Sequence, residues 1–324
     1  MPPEIGGQQA LPESPSVSIV VPVYNGAATL PVLVERVEGV FGPETERLEV
    51  IFVNDGSRDQ SWQVIRQLSA SHSRVKGIDL MRNYGQHNAL LAGIRAASHE
   101  VVVTIDDDLQ HPPEDIPKLL AKLAEGFDVV YGVPAVRRHM LWRNLASRTT
   151  KILLENVSGI KAKNVSAFRA FRRSASQSFA DYRGPFVSID VLLTWGTIRF
   201  GVVSVEHHAR YQGQSNYTFG KLVAHALNII TGFSTLPLRL ASLMGFAFSF
   251  LGLVVLFYVV GRYLYLGGTV PGFPFLASAV ALFSGAQLFA IGIVGEYLAR
   301  MYIHMLGKPT SVARDSVGFD VNQA

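Results

Sequence analysis

The stretch VVVTIDDDLQHPP, residues 101–113, constrains the fold of this chain more than any other. Val101, Val102, Val103 and Ile105 make a short β-branched run of the kind that fills a central parallel strand covered on both faces. The run leads straight into Asp106, Asp107 and Asp108. Adjacent carboxylates repel one another and lose hydration together, so such a cluster is stable mainly with a cation among them. Extended backbone alternates its side chains, which predicts that Asp106 and Asp108 share one side and Asp107 faces the other. An all-oxygen set favours Mg2+ or Mn2+ held through one or two carboxylates and the phosphates of a substrate. The plain alternative is a solvated acidic loop at a strand end. Pro112 and Pro113 then break the ladder and let a helix start near Glu114.

The segments before this stretch repeat one pattern. VSIVV at 17–21 reads as a buried strand ended by Pro22, with a loop at Val23, Tyr24, Asn25 and Gly26 and a helix over 28–40. A second strand at 48–53 runs into Asn54, Asp55, Gly56 and Ser57. A helix over 62–68, a strand at 75–80, a loop at Arg82, Asn83, Tyr84 and Gly85, and a helix over 86–97 complete the repeat. After the aspartates come a helix over 113–125 and a fifth strand at 128–131. Strand–loop–helix–strand units cross over right-handed and bind ligands at the C-terminal strand ends. Tyr24, Asn25, Asp55, Arg82, Asp106 and Asp108 therefore converge on one edge, which favours a metal site over scattered surface charges.

Further strands are expected at 165–171 and 198–205, with a helical or loop stretch carrying Asp190 and Trp195 between them. Residues 137–158 are basic and amphipathic, with Arg137, Arg138, Arg143, Arg148 and Lys151 among large apolar residues. That pattern fits a membrane-surface helix, a mobile basic loop over phosphates, or a solvated helix packed on the domain. EHHARYQGQSNYTFG at 206–220 is dense in hydrogen-bonding groups. Lying just before an apolar run, it offers Arg210 and Ser215 as contacts for a lipid head-group phosphate, or else is an ordinary juxtamembrane turn.

Two apolar runs, 240–260 and 273–294, are each close to the roughly 20 residues that span a bilayer. The short connection between them makes a hairpin. Arg239, Arg300, Lys308 and Arg314 on its flanks, against Arg262 in the connection, predict cytoplasmic termini. Gly245, Gly252, Gly285, Gly292 and Gly295 permit close helix contact or oligomerisation, and Glu296 reads as an interface anchor. The polar, Pro-rich opening lacks the basic flank and apolar core of a signal peptide. The chain has no cysteine, which excludes a thiol nucleophile, disulfides and Cys-ligated zinc. A net charge of +4 without basic–aromatic modules argues against a nucleic-acid partner.

VPVYN, VNDGS, RNYGQHNALLAG, DDDLQHPPE, RYQGQS and GEYLAR occur in this order, and with them the chain resembles the polyprenyl-phosphate glycosyltransferases of glycosyltransferase family 2. The likeness runs from Ser16 to about Pro309, and RNYGQHNALLAG looks most like the aminoarabinose branch. It implies an α/β GT-A (Rossmann-like) domain with a mostly parallel sheet, followed by a two-helix transmembrane hairpin. The expected layout is a disordered N-terminus over 1–15, a cytoplasmic catalytic domain over 16–215, and an interfacial amphipathic helix over 216–235. Two transmembrane helices at about 239–262 and 273–298 follow within 236–303, then a cytoplasmic tail over 304–324. The resemblance also implies a multi-pass protein of the bacterial inner membrane with the lipid bilayer as a partner. It leaves the oligomeric state open, and the small residues in the spans are compatible with the tetramer known for similar proteins.

By the same resemblance the donor is a nucleotide sugar, with UDP favoured, and the acceptor is polyprenyl (undecaprenyl) phosphate. Pro22, Tyr24 and Asn25 match the first nucleotide loop, Asp55 the base-recognising aspartate, and Arg82 the diphosphate contact. Asp106, Asp107, Asp108 and Gln110 match the metal motif, with Asp106, Asp108 and Gln110 as ligands of Mg2+ or Mn2+. Arg210 and Ser215 match the acceptor segment. Asp108, Arg210 and Ser215 are then the catalytic set for an inverting in-line displacement. Three positions depart from the pattern: Gly26 stands where Glu is usual, Ala167 where an acidic residue sometimes proposed as base stands, and Asn216 where Lys is usual. These departures are what a non-catalytic sugar-nucleotide-binding membrane scaffold would show. A missing base is tolerable because a phosphate monoester, with its second pKa near ~6, arrives ionised.

Overall fold

The computed structural model describes residues 12, 14–42, 47–134, 165–184, 186–208, 235–266 and 272–319. The chain divides into one unit of Met1–Tyr217 with Pro309–Ala324 and a second of Thr218–Lys308. The first is built on an eight-stranded sheet. Its strands are β1 (Val17–Val23), β2 (Leu48–Asn54), β3 (Val75–Leu80), β4 (Val101–Thr104), β5 (Val129–Pro134), β6 (Arg169–Arg172), β7 (Phe200–Val205) and β8 (Ala313–Val317). Their order is β7-β5-β6-β4-β1-β2-β3-β8.

β1 pairs in parallel with β2 and β4, and β2 with β3, so the C-terminal ends of all four open on one edge. Helices α1 (Leu30–Phe41), α2 (Ser61–Ser71) and α3 (Gln86–Ala96) make the crossovers, and α4 (Ile116–Ala124) follows a 3-10 turn at Pro113–Asp115. α1 buries Leu30, Leu33, Val34 and Val37, the face its 3.6-residue spacing predicts. Thr29 closes the turn that precedes the helix, its hydroxyl donating to Gly26 O and capping no N–H of α1. β1 and β2 are buried along their whole length, which explains their lack of polar alternation.

Three expectations change. Pro22 does not end β1, because the strand continues to Val23 with Pro22 opposite Val53. Val20 O accepts from Ile105 N on the β4 side, and Val23 O accepts from Asp55 N on the β2 side. Pro22, two residues on from Val20, therefore faces β4 beyond its end at Thr104, where a missing N–H costs no ladder bond. Second, β6 slips antiparallel between β4 and β5, so the repeat of parallel units stops at β4. Third, the stretch expected as a tail over 304–324 contains β8, antiparallel to β3. Without it β3 would leave an unpaired row of backbone groups at the sheet edge.

Helices α5 (Arg173–Gln177) and α6 (Ile189–Gly196) fill the connection from β6 to β7. The second unit contains α7 (Leu236–Leu266) and α8 (Phe273–Met305). Both are long and apolar enough to cross a membrane, over Pro237–Tyr265 and Leu282–Met305, and the most apolar 18-residue stretch of each has no buried residue. A core helix of a water-soluble domain would be covered, so these side chains suit lipid as their solvent. Phe248 stacks edge-on against Phe283, with ring centres 6.1 Å apart. Glu296 pairs with Arg300 one turn on, at 2.6 Å.

Candidate active site

The edge formed by β1–β4 gathers the loops that carry the expected site. β4 stops at Thr104, and Asp106, Asp107 and Asp108 lie on a turn in which Leu109 takes a φ of 57°. The alternation expected of extended backbone therefore does not govern these three carboxylates, which lie beyond the end of β4. Asp107 turns toward the β1 loop and accepts the Tyr24 N–H. Asp106 accepts from Gln86 Nε2 at 2.7 Å, and Asp108 Oδ1 from the Gln110 N–H at 3.1 Å. Gln110 O in turn accepts from His208 N at 2.8 Å, which ties the metal motif to the chain leaving β7. Burial, then the charges of Asp106 and Asp108, push the Asp107 carboxyl up to about 7.

Burial is the larger cause of this raised value, and a divalent cation among the three carboxylates would offset the part that comes from their charges. Among the described residues no group of three or more His, Cys, Asp or Glu is placed to hold a metal ion by itself. Two carboxylates, Asp106 and Asp108, would suffice for Mg2+ or Mn2+, which complete their shells with substrate phosphates rather than with protein alone. Asp106 and Asp108 are the residues that would hold the ion.

The first loop is knitted to the second. Asn25, at φ 57°, accepts from Arg58 N through its side chain and donates its N–H to Ser57 Oγ at 3.0 Å. Gly26 N donates to Ser61 Oγ, and Ala27 N to Asp59 Oδ2. Tyr24 stays 45% exposed, free to stack on a planar ligand, whereas Pro22 is buried in β1. Asp55 is only 3% exposed, and its two oxygens take the N–H groups of Tyr84 and Gly85 at 2.6 and 2.8 Å. It braces the third loop from inside the site. Arg82 is exposed beyond it and lies over the Tyr84 ring, 4.5 Å from its centre.

Gly26 has a steric reason: a Cβ there would run into Asp107 Oδ2. The missing side chain at 26 and the middle aspartate, Asp107, accommodate each other. Gly26→Ala is expected to cut metal-dependent nucleotide binding roughly tenfold, since a displaced Asp107 disturbs the turn on both sides of it. Gly26→Ala with Asp107→Ala should restore most of that binding in a calorimetric titration. A single variant that binds as the parent does would remove this account.

Other site features escape sequence reasoning. Arg169 on β6 is 2% exposed, ion-pairs with Asp190 and donates to Thr104 Oγ1 at 3.0 Å, two residues before Asp106. Tyr131 OH donates to the same Asp190 oxygen at 3.0 Å. Ala167, the position lacking an acid, gives its carbonyl to the Thr104 hydroxyl at 2.7 Å. His111 stacks on Phe168 and meets His207 edge-on, with ring centres 5.3 and 5.0 Å apart. Burial, and then His207, hold its pKa down to about 4, so it is a neutral wall of the turn. The sequence signal for Gln86 was its place in RNYGQHN; Arg169 and Asp190 had none beyond being charged. Arg210, Ser215 and Asn216, and the basic stretch 137–158, lie outside the described residues.

Four parallel strand ends meeting at an aspartate turn, with an antiparallel strand set beside them, define a GT-A fold. The chain belongs to glycosyl transferase family 2, whose family model matches residues 18–179. It is 35% identical over 297 residues to an undecaprenyl-phosphate 4-deoxy-4-formamido-L-arabinose transferase of Pseudomonas aeruginosa, covering 90% of this chain and 88% of the relative. A protein of the same name from Pectobacterium carotovorum is 33% identical over 306 residues, covering 93% and 94%. Among solved structures, glucosyl-3-phosphoglycerate synthase of Mycobacterium tuberculosis, in complex with Mn2+, UDP and glucosyl-3-phosphoglycerate, aligns with a TM-score of 0.51 at 21% identity. That alignment covers 67% of this chain and 78% of the other, and it speaks to the fold.

Proposed function

We propose that this protein transfers a sugar from a UDP-sugar to polyprenyl phosphate, with undecaprenyl phosphate the natural acceptor, and inverts the anomeric carbon. The observation that carries the reading is the convergence of the β1–β4 loops on Asp106, Asp107 and Asp108 in a chain that also has two bare apolar helices. The names of the relatives supply the acceptor and the sugar to try first, 4-deoxy-4-formamido-L-arabinose.

In this reading Tyr24 offers its exposed ring to the base, Asp55 holds the loop that presents Arg82, and Arg82 meets the diphosphate. Asp106 and Asp108 hold a divalent ion, which when bound neutralises charge on the departing nucleoside diphosphate. Arg210 and Ser215 orient the lipid phosphate opposite the leaving group. No general base is required, because the phosphate oxygen attacks already ionised. Reaction at the cytoplasmic face is supported by Arg239, Arg300, Lys308 and Arg314 flanking the helices. An even number of crossings is supported by β8, since a chain that leaves a sheet through two apolar helices and rejoins it must end on the side where it began.

The test is transfer of radiolabel from a panel of UDP-sugars, the formamido-arabinose among them, to undecaprenyl phosphate by the full-length protein in nanodiscs. Lipid-linked label is expected with Mg2+ or Mn2+ and not with EDTA. Metal-dependent nucleotide binding without transfer to any polyprenyl phosphate would overturn the enzyme reading in favour of a scaffold.

A further inference from the structure

Covering the open edge of β3 needs only main-chain pairing, and β8 supplies that from Gly77↔Val317 to Leu80↔Ala313. The returning segment does more at its site end. The register shifts between Asp79 and Leu80, and beyond the shift Met81 N donates to Val312 O at 2.9 Å. Arg314 Nη2 donates to Met81 O at 2.8 Å, so both backbone groups of Met81 are held by the segment. Arg314 Nη1 lies 3.6 Å from Asp79 Oδ2, and Asp79, nearly fully buried, accepts from Asn54 Nδ2 at 2.7 Å through its other oxygen. Upstream, Thr310 Oγ1 accepts from Arg95 Nη1 at 3.2 Å.

Met81 is the first residue of the loop that carries Arg82. At the other end of that loop Tyr84 and Gly85 are fixed by Asp55, the residue after Asn54. Between them the backbone of Arg82 and Asn83 packs so closely on Gly56 that a Cβ there would stand 2.5 Å from Asn83 N. The loop is therefore clamped at both ends, from the second strand by Asp55 and from the returning segment by Arg314. The two clamps are joined through Asp79 and Asn54.

We infer that the segment following the second apolar helix, residues 310–317, is part of the nucleotide site, with Arg314 the positioning residue for the loop 81–85. The identity of the ligand rests on the function proposed above; the clamp does not. Arg314 touches no ligand in this scheme and acts through Met81 and Asp79. Its consequence is that the diphosphate contact is set only once the chain beyond the hairpin has docked on β3.

The experiment compares full-length protein, Arg314→Met and Arg314→Lys in detergent by amide hydrogen exchange, melting temperature and titration with UDP and Mn2+. Arg314→Met keeps the aliphatic stem and removes the charge-assisted bonds. It is expected to speed exchange at Met81, Tyr84 and Gly85 roughly fivefold to tenfold, with β1 and β2 unchanged, and to weaken UDP binding by a similar factor. Arg314→Lys should recover part of both. In a transfer assay the donor KM should rise with kcat unchanged. Unaltered exchange at Met81–Gly85, or loosening spread evenly along β3 and β8 with a falling melting temperature, would overturn the proposal by reducing β8 to edge cover. Parent protein that binds no UDP, while the loop exchange still responds to Arg314→Met, would sink the nucleotide reading and leave the clamp standing.

Discussion

Asp108→Asn is expected to lower sugar transfer by about a thousandfold or more, while shifting the melting temperature by no more than a degree or two. The substitution keeps the shape of the side chain and an oxygen to accept the Gln110 N–H, so the turn at Leu109 has its bond. What it removes is one negative charge from the two carboxylates proposed to hold the ion. Charge stabilisation by a bound divalent ion is worth several kcal/mol at the transition state, and each ~1.4 kcal/mol is tenfold in rate. Burial, with Asp106 and Asp108, pushes the Asp107 carboxyl up to about 7, so taking one charge away should also relax Asp107. Parent and variant are compared by transfer rate and by Mn2+ titration of the purified protein. An Asp108→Asn protein with parental activity would remove the metal assignment altogether.

Arg169→Met should be the most destabilising of these substitutions, by roughly 3–5 kcal/mol, because it strands Asp190 and Tyr131 without the cation between them. Arg169 is among the largest fully buried side chains, and it reaches three elements at once: Thr104 at the end of β4, Tyr131 on β5 and Asp190 in the first turn of α6. A melting temperature lower by roughly 10 °C follows for a unit of this size. Arg169→Met with Asp190→Leu should regain part of the loss, since a buried pair replaced by apolar groups is often neutral where a broken pair is not. A double variant less stable than Arg169→Met would mean that Asp190 is held by contacts other than the guanidinium. The network also ends two residues short of Asp106, so the single variant is expected to weaken Mn2+ binding, and the double variant to recover it less completely than it recovers stability.

The parallel half of the domain was legible because its signals are local. VSIVV, LEVIFV and VVVTI read as buried strands on their own, and the loops behind them carry Asn, Asp and Gly for reasons that chain geometry explains. α7 and α8 were legible for the same reason: length and apolarity are properties of a segment. β8 was not. ARDSV is exposed at four of its five positions, so it lacks the apolar alternation that announces a strand, and only the unpaired edge of β3 makes it one. Gly26 stood as a departure from the family pattern, and only the structure places Asp107 against it.

What the amino-acid order determined unaided was which segments bury themselves and which chemistry their ends deliver: four parallel strands, an acidic strand end and two helices suited to lipid. What the tertiary structure decided was pairing across long stretches of chain. Arg169 and Thr104 are 65 positions apart, and Arg314 and Met81 are 233 apart. Periodicity records how much of a segment leaves water, and it carries no term for which distant charge or edge will meet it there. A charged residue reads the same in sequence whether it faces solvent or closes a buried pair, and the difference is made by the partner.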